Sequence, residues 1–101
     1  MNDIIGIGWY KDDLTYNKAL TIFTDTKDMP ATYKDWQAVV KKELEEIKRA
    51  NNIALRVDID PETFKDWCKA HSFLPNSVGR IAFVNSVELD YKKTGNGNII
   101  E

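Results

Sequence analysis

Cys68 and His71 are the only cysteine and the only histidine in this sequence, and they lie three residues apart. Side chains at positions i and i+3 share one face of a helix, where an imidazole could activate a thiol for nucleophilic chemistry. Phe64 and Trp67 occupy the same face, and a cysteine that packs among aromatic rings is ordinarily an inert core residue. We therefore assign no catalytic residues.

The acidic residues offer one candidate cation site. Asp58 and Asp60 flank Ile59 at the end of a predicted strand, so their carboxylates point to one side and could hold Mg²⁺ or Ca²⁺. Asp60 also precedes Pro61, however, and an aspartate followed by proline is typical of the start of a helix. Because helix capping already explains Asp60, and one cysteine and one histidine are too few for a zinc site, we predict no metal ion.

Gly6 and Gly8 resemble the opening of a dinucleotide-binding loop, whose glycines allow the backbone to approach a pyrophosphate. The third glycine of that motif is missing, since position 11 is Lys11. The helix that follows begins with Asp12 and Asp13, whose charges would repel a phosphate. No cofactor is therefore predicted.

Four side chains are candidates for binding a small molecule. Trp9 and Tyr10 stand at the end of a short predicted strand, and no helix stripe explains their large rings. Arg56 and Asp58 belong to the second half of another predicted strand. Sites in α/β proteins tend to form around strand ends, so we expect these four residues to converge there if the protein binds a ligand.

These residues must be positioned by two strands and four helices. Alternating hydrophobic residues predict a strand over residues 53–59, and a shorter extended segment is predicted over residues 4–10. Hydrophobic residues spaced three and four apart, together with capping residues, predict helices at about 12–24, 32–50, 60–72 and 76–93.

The predicted order is β-α-α-β-α-α, an α+β fold in which about four helices pack on a small two-stranded sheet. No linker or change of composition divides the chain, so we predict a single domain over residues 1–94. The glycine- and asparagine-rich segment 95–101 is predicted to be a flexible tail.

Charge and composition exclude two classes of partner. The chain of 101 residues has 14 Lys+Arg against 16 Asp+Glu, a net charge of −2, so no bulk positive field favours nucleic acid. No apolar stretch approaches the roughly 20 residues of a membrane span, and the first residues lack the features of a signal peptide. With a single cysteine, which allows no intrachain disulfide, these features predict a cytoplasmic protein.

The predicted fourth helix is hydrophobic on two faces, which is unusual for a helix of a small domain. The first face consists of Arg80, Phe83, Val84, Val87 and Tyr91. The second consists of Val78, Ile81, Ala82, Asn85 and Leu89. Such a helix is either enclosed in the core or covers a partner, so we predict a homodimer contact and place it on the first face.

The small sheet supports the same idea. A two-stranded sheet is marginal in water unless it is packed or extended, and pairing of strand edges across a two-fold axis would double it. The alternative, that four helices simply cover a two-stranded ribbon, is left open.

Several motifs together resemble a family of short uncharacterised bacterial proteins. They are Trp9-Tyr10, Pro30-x-Thr32-Tyr33-x-x-Trp36, Arg56-Val57-x-Ile59-Asp60-Pro61-x-x-Phe64-x-x-Trp67-Cys68 and Arg80-Ile81-Ala82-Phe83-x-Asn85. The resemblance covers most of residues 4–91. It implies a bacterial cytoplasmic origin, but it brings no activity, ligand or fold.

The function favoured by the sequence is that of a non-enzymatic, homo-oligomeric interaction module, an accessory or regulatory partner of another protein. The alternative is a small-molecule binder or a minor enzyme, with its site near Trp9, Tyr10, Arg56 and Asp58.

Overall fold

A computed structural model describes residues 3–101 of the chain. In chain order, its elements are β1 (Ile4–Trp9), α1 (Asp13–Ile22), a 3₁₀ turn (Thr26–Asp28), α2 (Tyr33–Arg49), β2 (Ile53–Asp58), α3 (Pro61–Ala70), α4 (Ser77–Thr94) and β3 (Asn98–Ile100). The α+β class and the four predicted helices are confirmed.

The sheet has three strands in the order β1-β2-β3, so the prediction of two strands was wrong. β1 and β2 are parallel, whereas β3 runs antiparallel to β2 and pairs with its residues 54–56. β3 lies inside the segment 95–101, for which the sequence predicts a flexible tail. A three-residue strand is too short to carry a periodic pattern, and its pairing with β2 is a tertiary interaction that composition does not reveal.

Each α-helix begins at a side chain that accepts a hydrogen bond from a backbone N–H of the first turn. These capping residues are Asp12, Thr32, Asp60 and Asn76. A cap of this kind stabilises a helix by about 1 kcal/mol. The carboxylate of Asp60 is therefore engaged in starting α3, as the proline after it indicates.

The sheet lies between two layers of helices, with α2 on one side and α4 on the other. Side chains alternate along a strand, so Ile5 and Ile7 of β1 lie on the side of α2, whereas Gly6 lies beneath α4. α1 contacts both layers: the ring of Tyr16 is 6.1 Å from Trp36 of α2, and the ring of Phe23 is 5.6 Å from Phe64 of α3. The most deeply buried side chains are Tyr16, Leu55, Val57, Phe64 and Cys68.

A glycine in β1 allows α4 to pack closely on the sheet. A Cβ atom at Gly6 would lie 2.6 Å from Cγ1 of Val84 and 2.7 Å from Oε1 of Glu88. Both distances are shorter than van der Waals contact, so any larger residue would push α4 away from β1.

The first turn of α4 is packed just as tightly. Gly79 is the one residue of α4 that is buried. A Cβ atom there would overlap the carbonyl oxygen of Leu74 and would lie 3.3 Å from Sγ of Cys68. The loop between α3 and α4 therefore fits only around a residue without a side chain.

None of the helices within residues 3–101 combines the length and the apolar composition that crossing a bilayer requires.

The close packing around Gly79 predicts that a larger residue at this position destabilises the protein. Replacing an unobstructed helix glycine with alanine stabilises a protein by up to about 1 kcal/mol. Because the added methyl group meets backbone here, we expect Gly79→Ala to lower the free energy of unfolding by about 1–3 kcal/mol. Urea denaturation of the two proteins measures the difference, and an unchanged or raised stability of Gly79→Ala would refute this packing.

Candidate functional site

The structure separates Cys68 from His71. Cys68 is 1% exposed, and burial raises the pKa of its thiol, which disfavours the reactive thiolate. His71 lies at the exposed end of α3, with its ring 4.4 Å from that of Trp67. The described residues also contain no group of three or more His, Cys, Asp or Glu side chains placed to hold a metal ion.

Three of the four predicted ligand-binding residues come together. Trp9, Arg56 and Asp58 line a cavity of about 340 Å³ at the carboxyl ends of the parallel strands β1 and β2. The guanidinium of Arg56 lies 5.6 Å from the centre of the Trp9 ring, and its Nε donates a 2.7 Å hydrogen bond to Asp58. Lys11 and Asp60 complete the charged part of the lining.

Tyr10 does not join this cavity. Its side chain is 3% exposed, and its ring packs 5.0 Å from that of Tyr16 and 5.1 Å from that of Trp36. Burial raises the pKa of the Tyr10 hydroxyl above its ordinary value. Consecutive residues of an extended chain point in opposite directions, so Trp9 lines the cavity while Tyr10 enters the core.

The first face of α4 packs on the domain itself. The ring of Phe83 lies 5.5 Å from Phe64 and 5.2 Å from Trp67, and Val84 covers Gly6. Tyr91 contacts the segment before β3 at Gly97. The residues predicted to form a dimer contact, namely Arg80, Phe83, Val84, Val87 and Tyr91, are therefore half-buried within one chain.

Arg80 on this face holds α4 against the loop after α1. Its guanidinium donates two hydrogen bonds, of 2.8 and 2.9 Å, to the carboxylate of Asp25, which also accepts one from the backbone N–H of Ser77. The guanidinium also lies 4.6 Å from the centre of the Phe23 ring. The Arg80 hydrogen bonds hold the pKa of Asp25 below its ordinary value.

This ion pair predicts a pH-dependent contribution to stability. Asp25→Asn removes the charge, and we expect it to lower the free energy of unfolding at neutral pH by about 1–2 kcal/mol. Because the pKa of Asp25 is depressed in the folded chain, the difference is complete above about pH 4 and is lost as the pH falls further. Urea denaturation across this pH range measures it. Asp28→Asn, an exposed aspartate of the same loop, is the control, and equal effects of the two variants would contradict the assignment.

The second face of α4 is exposed to solvent. The side chains of Val78 and Ile81 are each 61% exposed, and that of Leu89 is 58% exposed. Asn85 lies between them and is also exposed. Just before the helix, Leu74 adds a further large apolar side chain that is 66% exposed. We call the set Leu74, Val78, Ile81, Asn85 and Leu89 the outer stripe. Periodicity shows that α4 has two apolar faces, but not which of them the domain itself covers.

The outer edge of β1 is open. Ile53 N donates to Asp3 O at 2.8 Å, and Ile59 N donates to Trp9 O at 2.9 Å. The odd-numbered residues of β1 therefore direct their main-chain groups toward β2. In a parallel ladder, the even-numbered residues then direct their main-chain groups away from β2. The side chain of Glu88 accepts a 2.9 Å hydrogen bond from one of these groups, the Gly6 N–H.

A groove lies on each side of this edge. The groove between β1 and α2 has a volume of about 570 Å³, and the groove between β1 and α4 has a volume of about 370 Å³. Gly6 and Gly8 line both. These grooves could not be predicted from the sequence, because they depend on the spacing of the helices about the sheet. The one local signal was the pair of glycines in a strand, which often marks the close approach of another backbone.

No family model, no curated protein and no solved structure is similar to this chain. The structure itself provides two features on which a proposal can be based: the exposed apolar stripe on α4 and the open edge of β1.

Proposed function

We propose that the protein is a non-enzymatic, homo-oligomeric interaction module, in which the outer stripe of α4 packs against the outer stripe of a second copy. The observation that supports this proposal is the exposure of Val78, Ile81 and Leu89 along one line of the helix. Large apolar side chains scattered singly on a surface are ordinary, but several of them on one face of a helix are typical of a contact with another chain.

The stripe fits a copy of itself in the antiparallel orientation. In a two-fold arrangement centred on Asn85, Ile81 of one helix faces Leu89 of the other, and symmetry forms this apolar pair twice. A parallel pair would instead bring Lys92 and Lys93 of both chains to the same end, where like charges repel. The antiparallel pair places these lysines at opposite ends, so charge selects between the two orientations.

Asn85 adds a polar contact at the centre. A side-chain amide carries both donors and an acceptor, so two asparagines that meet on a two-fold axis can bond to each other. A single asparagine in an apolar helix contact fixes the register of the helices at some expense in stability. Asn85 is exposed in the single chain.

This contact predicts the effect of charges placed on the stripe. Ile81→Glu or Leu89→Glu would bury a carboxylate against an apolar partner, so we expect each variant to be a monomer. The parent protein is expected to have twice the 11.6 kDa of the chain. Multi-angle light scattering after size-exclusion chromatography measures these masses, and circular dichroism shows that the variants remain folded.

Leu14→Glu is the matched control. Leu14 is 79% exposed on α1, away from the stripe, so this variant makes the same change without touching the contact. It should keep the dimer mass. A parent protein that remains a monomer, or a dimer that survives both Ile81→Glu and Leu89→Glu, would contradict the proposal.

A second candidate function rests on the cavity at the strand ends. We infer that it binds a small planar molecule, because Trp9 offers an aromatic face and Arg56 offers donors in a fixed plane. Lys11, Asp58 and Asp60 provide polar groups around them, in the place where α/β sites commonly form.

A fragment screen tests this candidate. Planar polar fragments should shift the NMR signal of the Trp9 indole N–H, and Arg56→Ala should weaken the binding of each such fragment by about tenfold. Arg49→Ala is the control, since Arg49 is an exposed arginine at the end of α2 that does not line the cavity. If no fragment shifts this signal, or if both variants bind equally well, the cavity has no such function.

A further inference from the structure

We propose that the open edge of β1 and the groove beside α2 capture an extended segment of a different protein, with apolar side chains at alternating positions and at least one basic side chain. The segment would add a fourth strand to the sheet. No residue of the outer stripe of α4, on which the proposed dimer rests, lines the groove beside α2, whereas Ile81 and Asn85 line the groove on the other side of β1.

The edge supplies the main-chain contacts. Ile4, Gly6 and Gly8 direct their N–H and C=O groups away from β2, and an added strand would bond to them as β3 bonds to the other edge of β2. An edge that is left open is normally blocked by a proline, a bulge or a charged side chain. In this protein, the Glu88 side chain blocks the edge at Gly6 by accepting a hydrogen bond from the Gly6 N–H.

The groove beside α2 supplies pockets for side chains. Its apolar lining comes from Ile5 and Ile7 of β1 and from Val39, Val40 and Ile47 of α2. Val39 is 47% exposed, so this part of α2 is not covered by its own domain. Every second side chain of a strand paired to β1 would point into this groove, and its volume of about 570 Å³ has room for more than one of them.

Charge determines what kind of segment fits. Glu43 and Glu46 line the groove beside α2, and Glu88 lines the groove on the other side of β1. None of the ion pairs found within residues 3–101 involves these three carboxylates. Among residues 3–101, the only basic residue that lines either groove is Arg80, which is bonded to Asp25. The surface therefore favours a basic partner.

The same charges argue against a second copy of this chain as the occupant. The strand that a second copy would offer at a two-fold axis is β1 itself, Ile4–Trp9, which contains no lysine or arginine. It would leave Glu43 and Glu46 without counterions, and it would bring a second set of these carboxylates close to the first.

A basic side chain also explains how the block on the edge is removed. Glu88 bonds to Gly6 N–H in the free protein. A lysine or arginine of the incoming segment would form an ion pair with Glu88 and draw its carboxylate away. Gly6 N–H would then be free to donate to the carbonyl of the segment, so that main-chain pairing and charge recognition depend on each other.

The dimer and the segment do not compete for the groove beside α2. The sheet separates α2 from α4, and the outer stripe lies on the α4 side. Leu89 lines neither groove, so Leu89→Glu is expected to abolish the dimer while leaving peptide capture intact, which keeps the two proposals experimentally distinct.

A display library of random peptides of about ten residues provides the probe. Selection on the purified full chain should enrich sequences that alternate apolar residues and carry lysine or arginine. In NMR spectra, an enriched peptide should shift the amide signals of Ile4, Gly6 and Gly8 and slow their hydrogen exchange. The result that overturns the proposal is no enrichment, enrichment of peptides without basic residues, or binding that leaves these three amides unchanged.

Charge reversal in the groove provides the second measurement. Glu43→Lys should weaken the binding of an enriched peptide by about tenfold, whereas Glu45→Lys should change it by less than about twofold. Glu45 is an exposed residue of the same helix that does not line the groove, so the two variants have the same charge and the same helix chemistry. Equal binding by both variants would show that the groove does not recognise the peptide.

Discussion

The close approach of α4 to β1 is the constraint on which the rest of this structure depends. Gly6 has no side chain, so Val84 and Glu88 can lie directly over the strand. This approach turns one face of α4 toward the core and directs the opposite face to solvent. It also brings the Glu88 carboxylate to the outer edge of β1, where it bonds to the Gly6 N–H. One packing contact therefore determines both surfaces for which we propose partners.

The two surfaces differ in physical character, and this difference assigns them different partners. The outer stripe of α4 is apolar, with one central amide, and is the surface that we propose to pair with a second copy around a two-fold axis. The groove beside α2 is bordered by Glu43 and Glu46 and opens on main-chain groups of an edge strand. Burial of apolar surface does not depend on direction, whereas the edge of a sheet binds an extended backbone and a carboxylate attracts a cation. The two proposed contacts therefore rely on different interactions within one small domain.

Local chemistry made much of the fold predictable. Asp60 followed by Pro61 indicates the start of α3, and alternation from Ile53 indicates β2; both are present. β3 was not predictable, because its three residues are stabilised by pairing with β2 and not by their own pattern. The same limit applies to the site. The sequence groups Tyr10 with Trp9, but tertiary packing buries the ring of Tyr10 beside Tyr16.

The two faces of α4 show this limit most plainly. Spacing along the helix identifies both faces, but the choice of the covered face depends on where Gly6, Phe64 and Trp67 lie in space. The structure places Phe83 against the core and leaves Ile81 exposed, so we place the proposed contact on the face of Ile81 and not on the face of Phe83, for which it is predicted from the sequence.

The most direct test of the account is an isotope-filtered nuclear Overhauser experiment on an equal mixture of labelled and unlabelled chains, which detects only contacts between chains. The account predicts cross-peaks between the methyl groups of Ile81 in one chain and Leu89 in the other. Cross-peaks from Ile81 to Ile81 would indicate a parallel pair, and the absence of any contact between chains along α4 would contradict the central claim.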